Sequence, residues 1–337
     1  MKENKKIFYD CQTLLTKDRV LCMSLGVRGI GKTYSVKKWA IKNWLKKGKQ
    51  FLYLTRFKND LPFLSNTCFD DVASDEAFQD HTIETRKLEV YVDDKLAGRI
   101  FAVSQSTKIK KTALVLTDVI IYDEFLQETK LGGRYIKNEP ELLSSIMSSV
   151  FRRRKGCRVI CIGNTTELIN PYFDFYGIIP DKNKEFNLYK NIVVEISDPD
   201  KYYNEETELT DVEELLMSTD YGDYAYGGEF NDEDESLITK LHRLHQCKYN
   251  IIFNGETFGV WVDRIDNGVL IAKKFDPSVE SFTVLSDELN ERGAYKGWYE
   301  SRLLYVLKDA RNANNIKFTD IRTKKKGIEF LKKIGIY

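Results

Sequence analysis

Gly26–Thr33 reads GVRGIGKT and directly follows the apolar run Val20–Leu25, VLCMSL. It fits the pattern G-x-x-x-x-G-K-T, in which a glycine-rich loop joins a buried strand to a helix and binds phosphates through its backbone amides. The next residues, Lys32–Lys47, have the periodicity of an amphipathic helix with a basic outer face. This strand, loop and helix together predict an α/β domain that binds a nucleotide.

The loop residues have separate predicted tasks. The glycines allow the backbone to approach the phosphates, Lys32 would reach the β- and γ-phosphates, and Thr33 would ligate Mg²⁺. Arg28 is either a surface arginine or a cation that covers the phosphates in its own chain. The predicted nucleotide-binding residues are Gly26, Val27, Arg28, Gly29, Ile30, Gly31, Lys32 and Thr33.

A second apolar strand, predicted over Val115–Tyr122, runs into two carboxylates, Asp123 and Glu124. Asp123 is predicted to hold Mg²⁺, and Glu124 to orient and deprotonate an attacking water. The alternative is an ordinary strand that ends in an acidic turn, which the phosphate loop upstream makes a poorer explanation. A carboxylate directly after the metal ligand favours hydrolysis over phosphoryl transfer to a small substrate.

A third strand, Arg158–Ile162, is followed by Gly163 and Asn164. Asn164 is a candidate sensor of the γ-phosphate, although asparagine after glycine is also common in turns. Just before this strand, Arg152 begins a run of five cations within eight residues. Such a run is usually a solvated surface, and it is also a place from which an arginine can reach a neighbouring subunit's nucleotide or contact DNA.

ATP is the predicted nucleotide because the chain lacks the N-K-x-D segment that reads guanine; residues 164–167 read NTTE. Six cysteines form no C-x-x-C pair, which favours reduced packing roles. His242, His245 and Cys247 form a short cluster, HRLHQC, without a fourth metal ligand nearby in the sequence. They are predicted to be helix-surface or core residues.

Charge is distributed unevenly along the chain, although the net charge is only +1. Residues 198–236 contain fifteen acidic residues and one basic residue, so the rest of the chain carries about +15. No apolar run reaches the roughly 18 residues of a membrane span, and the N-terminus MKENKKIFYD has no apolar signal core. The protein is expected to stay in the cytoplasm of the cell that makes it, with no membrane partner.

Strand-like and helix-like segments alternate through the first two hundred residues, which predicts a parallel sheet covered on both faces. Thr82–Val103 has period-two stretches and predicts an inserted hairpin around Asp93–Asp94. The predicted domains are 1–197 (nucleotide binding), 198–236 (an acidic linker subdomain) and 237–337 (a smaller mixed α/β domain). In the last of these, strands are predicted around Asn254–Gly255 and Asn267–Gly268, and helices over 298–313 and 324–336.

Several segments in order resemble one family, the DNA-packaging ATPases of small tailed phages of the φ29 type, relatives of large-terminase motors. The segments are Asp18–Thr33, Gln50–Lys58, Asp93–Ile100, Ile120–Phe125, Ser148–Asn164, Asn170–Phe173 and Phe253–Asp263. The resemblance implies an ASCE-type P-loop ATPase domain with a central, mostly parallel sheet. It also implies a smaller α/β domain resembling an RNase H-like nuclease that has lost its catalysis. Asp263 and the acids near it form no clear two-metal cluster, in agreement with that implication.

The resemblance also implies roles for individual residues. Asp123 matches the family's metal carboxylate, Glu124 its catalytic carboxylate, and Arg152 its trans-acting arginine finger. Arg56 matches one of two successive arginines, but Thr55 replaces the other, so its role stays open. The catalytic candidates are Glu124, Arg152, Lys32 and Asn164, and the metal ligands are Thr33 and Asp123.

A basic segment downstream carries a further set of candidates. Lys108 falls where the family has a second trans-acting cation, and charge and position make Lys108, Lys110 and Lys111 candidates for contact with DNA.

The predicted function is ATP-driven translocation of double-stranded DNA into a phage prohead. The resemblance implies a homo-oligomeric ring, a pentamer, attached transiently to the portal of the prohead in the host cytoplasm. The basic residues near the C-terminus, within 322–326 and 332–333, are either a solvated helix surface or a contact for the backbone of DNA or of a structural packaging RNA. Two alternatives stay open: another P-loop enzyme, such as a small-molecule kinase, and a non-enzymatic DNA-binding assembly protein whose shape the nucleotide regulates.

Overall fold

A computed structural model describes most of the chain. The described residues are 8–128, 133–165, 168, 170–203, 209–219, 222, 225–227, 237–265, 267–284, 302–313 and 315–336. The chain divides into two units, Met1–Asn231 and Asp232–Tyr337. Among the described residues, no helix is both long and apolar enough to cross a bilayer.

The first unit alternates helices and strands, as the sequence predicts. Its helices are α1 (Cys11–Leu15), α2 (Lys32–Lys47), α3 (Leu61–Leu64), α4 (Asp70–Ala73), α5 (Ser106–Lys111), α6 (Glu139–Phe151), α7 (Pro171–Tyr176) and α8 (Asp211–Met217). Its strands are β1 (Leu21–Gly26), β2 (Gln50–Thr55), β3 (Ile83–Arg86), β4 (Glu89–Val92), β5 (Lys95–Ala102), β6 (Thr117–Asp123), β7 (Arg158–Asn164), β8 (Phe186–Leu188) and β9 (Ile192–Ile196).

These nine strands form one sheet in the order β3-β4-β5-β2-β6-β7-β1-β9-β8. The six strands from β5 to β9 in this order run parallel, and an antiparallel pairing closes each side. The predicted hairpin is present, with Asp93 and Asp94 at φ 49° and 60°, the left-handed conformation that a tight two-residue turn requires. Its outgoing strand β5 joins the main sheet beside β2.

Both faces of this sheet are covered, because its central strands are apolar throughout. Along β1, Cys22 belongs to a core shared with α2, whereas Leu21 and Met23 belong to a core shared with α6. Alternate residues of a strand point to opposite faces, so a strand buried on both sides reads as a continuous apolar run. One predicted boundary is wrong: Val115 is 71% exposed and lies before β6, which begins at Thr117.

The acidic segment 198–236 contributes to the first unit over its described part. Tyr202 and Tyr203 are buried in the same core as α2, and the Tyr203 hydroxyl donates to the carbonyl of Arg28 at 3.0 Å. The backbone N–H of Arg28 donates to the carbonyl of Ala225 at 2.9 Å. The sequence predicts a separate subdomain here, whereas the boundary between the two units lies at residues 231 and 232. The predicted helix Asp211–Met217 is present.

The second unit is a smaller α/β domain, as predicted. Its elements are β10 (His245–Phe253), β11 (Glu256–Asp263), β12 (Val269–Ala272), β13 (Ser281–Val284), α9 (Arg302–Asn312), β14 (Ile316–Phe318) and α10 (Ile321–Lys333). The sheet order is β13-β10-β11-β12-β14, with antiparallel pairs in the middle and a parallel strand at each edge. The turn at Asn254–Gly255 is present. The two helices begin and end near the predicted bounds, and residues 298–301 lie outside the described residues.

The histidine cluster lies on a turn and a strand, so the helical alternative of its prediction is wrong, whereas Cys247 is buried as the core alternative predicts. His245 begins β10 and pairs with Asp263, and the Nε2 atom of His242 lies 3.2 Å from Asp263 Oδ2. The three side chains together have the donor types of a metal site. However, Nδ1 of each histidine accepts from a backbone N–H, of His242 in one case and Leu244 in the other. This assignment leaves the proton on each Nε2, facing the carboxylate, where a metal would need a lone pair.

Candidate nucleotide site

Three neighbouring strands carry Lys32, Glu124 and Asn164, three of the four predicted catalytic residues, to one edge of the sheet. β7 lies between β6 and β1, and all three strands run parallel. The phosphate loop after β1, the carboxylates at the end of β6 and Asn164 at the end of β7 therefore share the carboxyl edge. Ligands of open parallel sheets bind at this edge. The structure thus brings together residues that lie up to 138 positions apart, from Gly26 to Asn164.

The loop adopts a conformation that only glycine tolerates at two positions. Gly29 has φ 76° and Gly31 has φ 86°, both in the left-handed region, and Gly31 caps the N-terminus of α2. A Cβ atom on Gly29 would lie 2.7 Å from the Tyr203 hydroxyl oxygen, so this residue is restricted by space as well. Val27 and Ile30 are buried beneath the loop.

Lys32 is held inside the loop, where its charge is poorly solvated. Its Nζ donates to the carbonyls of Gly26 and Val27 at 2.8 and 2.6 Å. Burial lowers the pKa of Lys32 to about 7, against the opposing effect of the Asp123 carboxylate. An ammonium that is short of counter-charge is well suited to bind a polyanion such as a triphosphate.

The two predicted metal ligands lie side by side. Thr33 Oγ1 donates to Asp123 Oδ1 at 3.1 Å, and the Tyr53 hydroxyl donates to the other carboxylate oxygen. A hydroxyl and a carboxylate are hard oxygen donors, which Mg²⁺ prefers, and Mg²⁺ takes its remaining ligands from water and phosphate. The pair therefore fits the ion that the sequence predicts. Tyr53 was not predicted, since an aromatic residue inside an apolar strand gives no sign of a polar role.

Glu124 follows Asp123 in a left-handed conformation, with φ 51°. Its side chain lies on the cavity that Arg28 and Asn164 also line. Loss of solvent around the carboxyl group raises the pKa of Glu124, and the neighbouring charge of Asp123 raises it further. A carboxylate with a raised pKa is a stronger base, which suits the predicted deprotonation of water.

A buried ion pair supports the backbone of Glu124. The Arg56 guanidinium donates to the carbonyls of Glu124 and Phe125 at 2.9 and 2.7 Å. It also contacts both oxygens of Glu139, the first residue of α6, at 2.9 and 3.0 Å. Glu139 is fully buried and accepts from the hydroxyls of Tyr122 and Tyr172, each at 2.7 Å. The sequence left Arg56 open and missed Glu139, because nothing local marks a glutamate as buried.

A second unpredicted acid, Glu128, connects two predicted phosphate contacts. Its Oε1 atom accepts from the Arg28 guanidinium and, at 3.4 Å, from the side-chain amide of Asn164. The side chain of Glu128 is 18% exposed and that of Arg28 is 38% exposed. Arg28 is therefore not an isolated surface arginine.

Arg152 does not lie at this edge of its own chain. It directly follows α6, a helix of 13 residues, or about 20 Å, that begins beside the site at Glu139. Arg152, Arg153 and Lys155 are exposed. In contrast, Arg154 donates to several carbonyls around the start of β6, and Arg158 pairs with Asp18. Arg152 itself donates to the carbonyl of Ser149 at 3.2 Å, so at least three of the five cations bind their own chain.

The lysines of α5 lie on the surface of the first unit. Lys108 stacks over the ring of Phe101, and Lys110 contacts Ser145 of α6 at 3.3 Å. Lys108, Lys110 and Lys111 are all exposed. Their contact with DNA or with a neighbouring subunit stays a prediction.

A cavity of about 640 Å³ lies beside the start of α2. It reaches Gly31 of the phosphate loop, and its walls include the aromatic side chains of Phe8, Tyr9, Tyr34 and Trp39. This volume is within the range of small-molecule sites.

The family profile described as "Podovirus DNA encapsidation protein (Gp16)" matches residues 3–335. The chain belongs to this family. The DNA packaging protein of Bacillus phage phi29 is 36% identical over 307 residues, which cover 89% of this chain and 91% of the relative. The corresponding protein of Bacillus phage B103 is 36% identical over 279 residues, covering 82% and 85%.

Solved structures agree with this assignment. The bacteriophage phi29 genome packaging motor assembly contains a chain that matches with a TM-score of 0.77 and 33% identity, over 97% of this chain and 99% of that one. The N-terminal domain of the phi29 DNA packaging ATPase matches with a TM-score of 0.53 and 39% identity, over 57% and 96%. The chain is thus a viral DNA-packaging ATPase with an α/β ATPase fold, and the kinase and non-enzymatic alternatives are set aside.

Proposed function

We propose that this packaging ATPase hydrolyses ATP at the site formed by Lys32, Thr33, Asp123 and Glu124, and that hydrolysis drives double-stranded DNA into a prohead. The observation that carries the proposal is the meeting of these residues at one edge of the sheet. Thr33 lies 3.1 Å from Asp123, and Glu124 follows directly. The phi29 structure whose chain this protein matches is described as a genome packaging motor.

Each group of the site has a defined task in this proposal. Lys32 leaves the loop carbonyls and binds the β- and γ-phosphates, whose negative charge favours the protonated form of its amine. Glu124 accepts a proton from the attacking water, and the Arg56 guanidinium keeps the peptide of Glu124 in its left-handed turn. Thr33 and Asp123 would hold Mg²⁺, which when bound neutralises phosphate charge. Asn164 would donate to the γ-phosphate.

The aromatic cavity beside α2 is the proposed seat of the adenine base. It reaches Gly31, so a triphosphate in the loop would leave its nucleoside on this side. Flat aromatic walls favour stacking of a purine ring, and Asp10 and Gln12 on the same wall offer polar groups for its edge.

Arg152 is proposed to complete the site of a neighbouring subunit in a ring, for which a pentamer is the proposed size. Its distance along α6 from its own site and its exposure support a role in trans, and an arginine finger contributes about 10³ or more to the rate. Lys108, Lys110 and Lys111 are proposed to contact DNA or the next subunit.

The proposed setting is the host cytoplasm, with transient attachment to the portal of the prohead. The smaller domain is proposed to resemble an RNase H-like nuclease without its catalysis. Its helix α10 carries basic residues such as Lys325 and Lys332, which would bind a nucleic-acid backbone of DNA or of a packaging RNA.

A packaging reaction tests the proposal. Purified chain, proheads, linear double-stranded DNA and Mg·ATP are mixed, and DNA protected from nuclease is measured. Lys32→Ala should abolish both ATP turnover and protected DNA. Lys46→Ala, on the exposed surface of the same helix, should leave both unchanged. ATP-dependent protection that persists in Lys32→Ala would refute the assigned site.

A further inference from the structure

Glu128 presents a negative charge to the two groups that are proposed to bind the γ-phosphate. Its Oε1 atom accepts from the Arg28 guanidinium and from the Asn164 amide. Neither of these groups can accept a hydrogen bond at the atoms concerned, so each needs an anion or another acceptor. A single carboxylate oxygen fills that need for both.

A second anion that bound Arg28 and Asn164 would enter a cavity that already holds two carboxylates. Arg28, Glu124, Glu128 and Asn164 line one cavity of about 270 Å³. A phosphate that binds Arg28 and Asn164 would therefore lie close to two carboxylates, and like charges at such separations repel. Either Glu128 releases its donors when the phosphate binds, or the phosphate binds without them.

The backbone of Arg28 is held by hydrogen bonds, so a change from one bound anion to another would require movement of side chains only. The N–H and the carbonyl of Arg28 are bonded to Ala225 and Tyr203, respectively. The Arg28 side chain is 38% exposed, which leaves space for it to turn from one anion to another.

We propose that Glu128 competes with the terminal phosphate of the nucleotide for Arg28 and Asn164, and so sets the preference of this ATPase between ATP and ADP. This inference rests on the proposed nucleotide site. ADP has no γ-phosphate and leaves the Glu128 contacts in place, whereas ATP must replace them. Glu128 therefore weakens the binding of ATP and not that of ADP, which makes it a positioning residue and not a catalytic one.

The test compares nucleotide affinities of the full-length chain by calorimetry, with Mg²⁺ and either ADP or a non-hydrolysable ATP analogue. Glu128→Gln keeps the shape of the side chain and removes its charge. It should tighten the ATP analogue about tenfold, because a competing charge-assisted hydrogen bond is weakened, and change ADP by less than about twofold. Glu141→Gln, which removes an exposed charge from α6, should change neither affinity.

A double variant tests whether Glu128 affects ATP binding through Arg28. In an Arg28→Ala background, Glu128→Gln should have a clearly smaller effect on the ATP analogue than in the wild type. Weaker binding of the analogue by Glu128→Gln would show that Glu128 holds Arg28 in place for the phosphate, which overturns the proposal. Equal tightening of both nucleotides would overturn it as well. Failure of the wild type to bind either nucleotide would instead refute the nucleotide site itself.

Discussion

The two ends of α6 have opposite environments. Its first residue, Glu139, is fully buried and accepts hydrogen bonds from Arg56, Tyr122 and Tyr172 beside the nucleotide site. The residue that follows its last turn, Arg152, is exposed and has a positive φ of 47°. The buried end lies beside the proposed catalytic carboxylate, whereas the exposed end carries the arginine that is proposed to act on a neighbouring subunit. One helix of about 20 Å thus separates the proposed nucleotide site of its own chain from the exposed Arg152.

The largest expected effect at the buried end comes from replacing Glu124, the proposed base. Glu124→Gln should lower the rate of ATP hydrolysis by about 10²–10⁴, because water is no longer deprotonated, while ATP binding is retained. Steady-state turnover and equilibrium binding of ATP measure the two effects separately. Glu141→Gln on the exposed face of α6 is the matched control. Turnover within a few-fold of wild type would mean that Glu124 is not the base.

The exposed end should matter only when subunits meet. Arg152→Ala should lower ATP turnover by about 10³ on proheads and leave nucleotide binding by the isolated chain unchanged, since a finger acts on the neighbouring site. Arg153→Ala, the adjacent exposed arginine, should have a small effect. Mixed motors of Arg152→Ala and Glu124→Gln subunits should recover part of the turnover, because some junctions contain both intact groups. An absence of recovery would argue against action in trans.

The ion pair at the buried end should contribute to stability as well as to catalysis. Glu139→Gln leaves the Arg56 guanidinium buried without its counter-charge, and breaking such a pair costs about 3–5 kcal/mol. The expected result is a large fall in the midpoint of thermal unfolding, followed by circular dichroism. Glu141→Gln, two residues along the same helix, should shift the unfolding free energy by less than about 0.5 kcal/mol. Similar midpoints for the two variants would show that the pair is not a stability element.

The smallest expected effect is on the pH dependence of turnover. Glu124 acts as a base only when it is deprotonated, and its raised pKa means that activity falls on acidification at a higher pH than for an ordinary glutamate. Arg28 lowers this pKa, so Arg28→Ala should move the acid limb of the kcat profile to higher pH. A movement to lower pH, or an acid limb that stays fixed, would contradict the assigned electrostatics.

Local patterns were sufficient for the motif residues and most elements. Prediction was possible where a short pattern belongs to one turn or strand end, as for the phosphate loop, Asp123, Glu124 and the strand before Asn164. The bounds and types of elements were predicted less well where the environment of a segment depends on residues distant in sequence. The start of β6 was placed two residues early, since Val115 and Leu116 are apolar but exposed. For HRLHQC a helix surface and a core were both predicted, because the pairing of this segment with β11 cannot be seen in the hexapeptide.

The sequence by itself predicted the family, the alternation of strands and helices and the candidate phosphate-binding residues, because these follow from patterns within a few residues. Only the tertiary structure decided that Arg56 and Glu139 support Glu124, that Glu128 joins Arg28 to Asn164, and that the acidic segment packs against the phosphate loop. These contacts join residues up to 175 positions apart. The effect of a charged side chain depends on which groups surround it, and that arrangement exists only once the chain has folded.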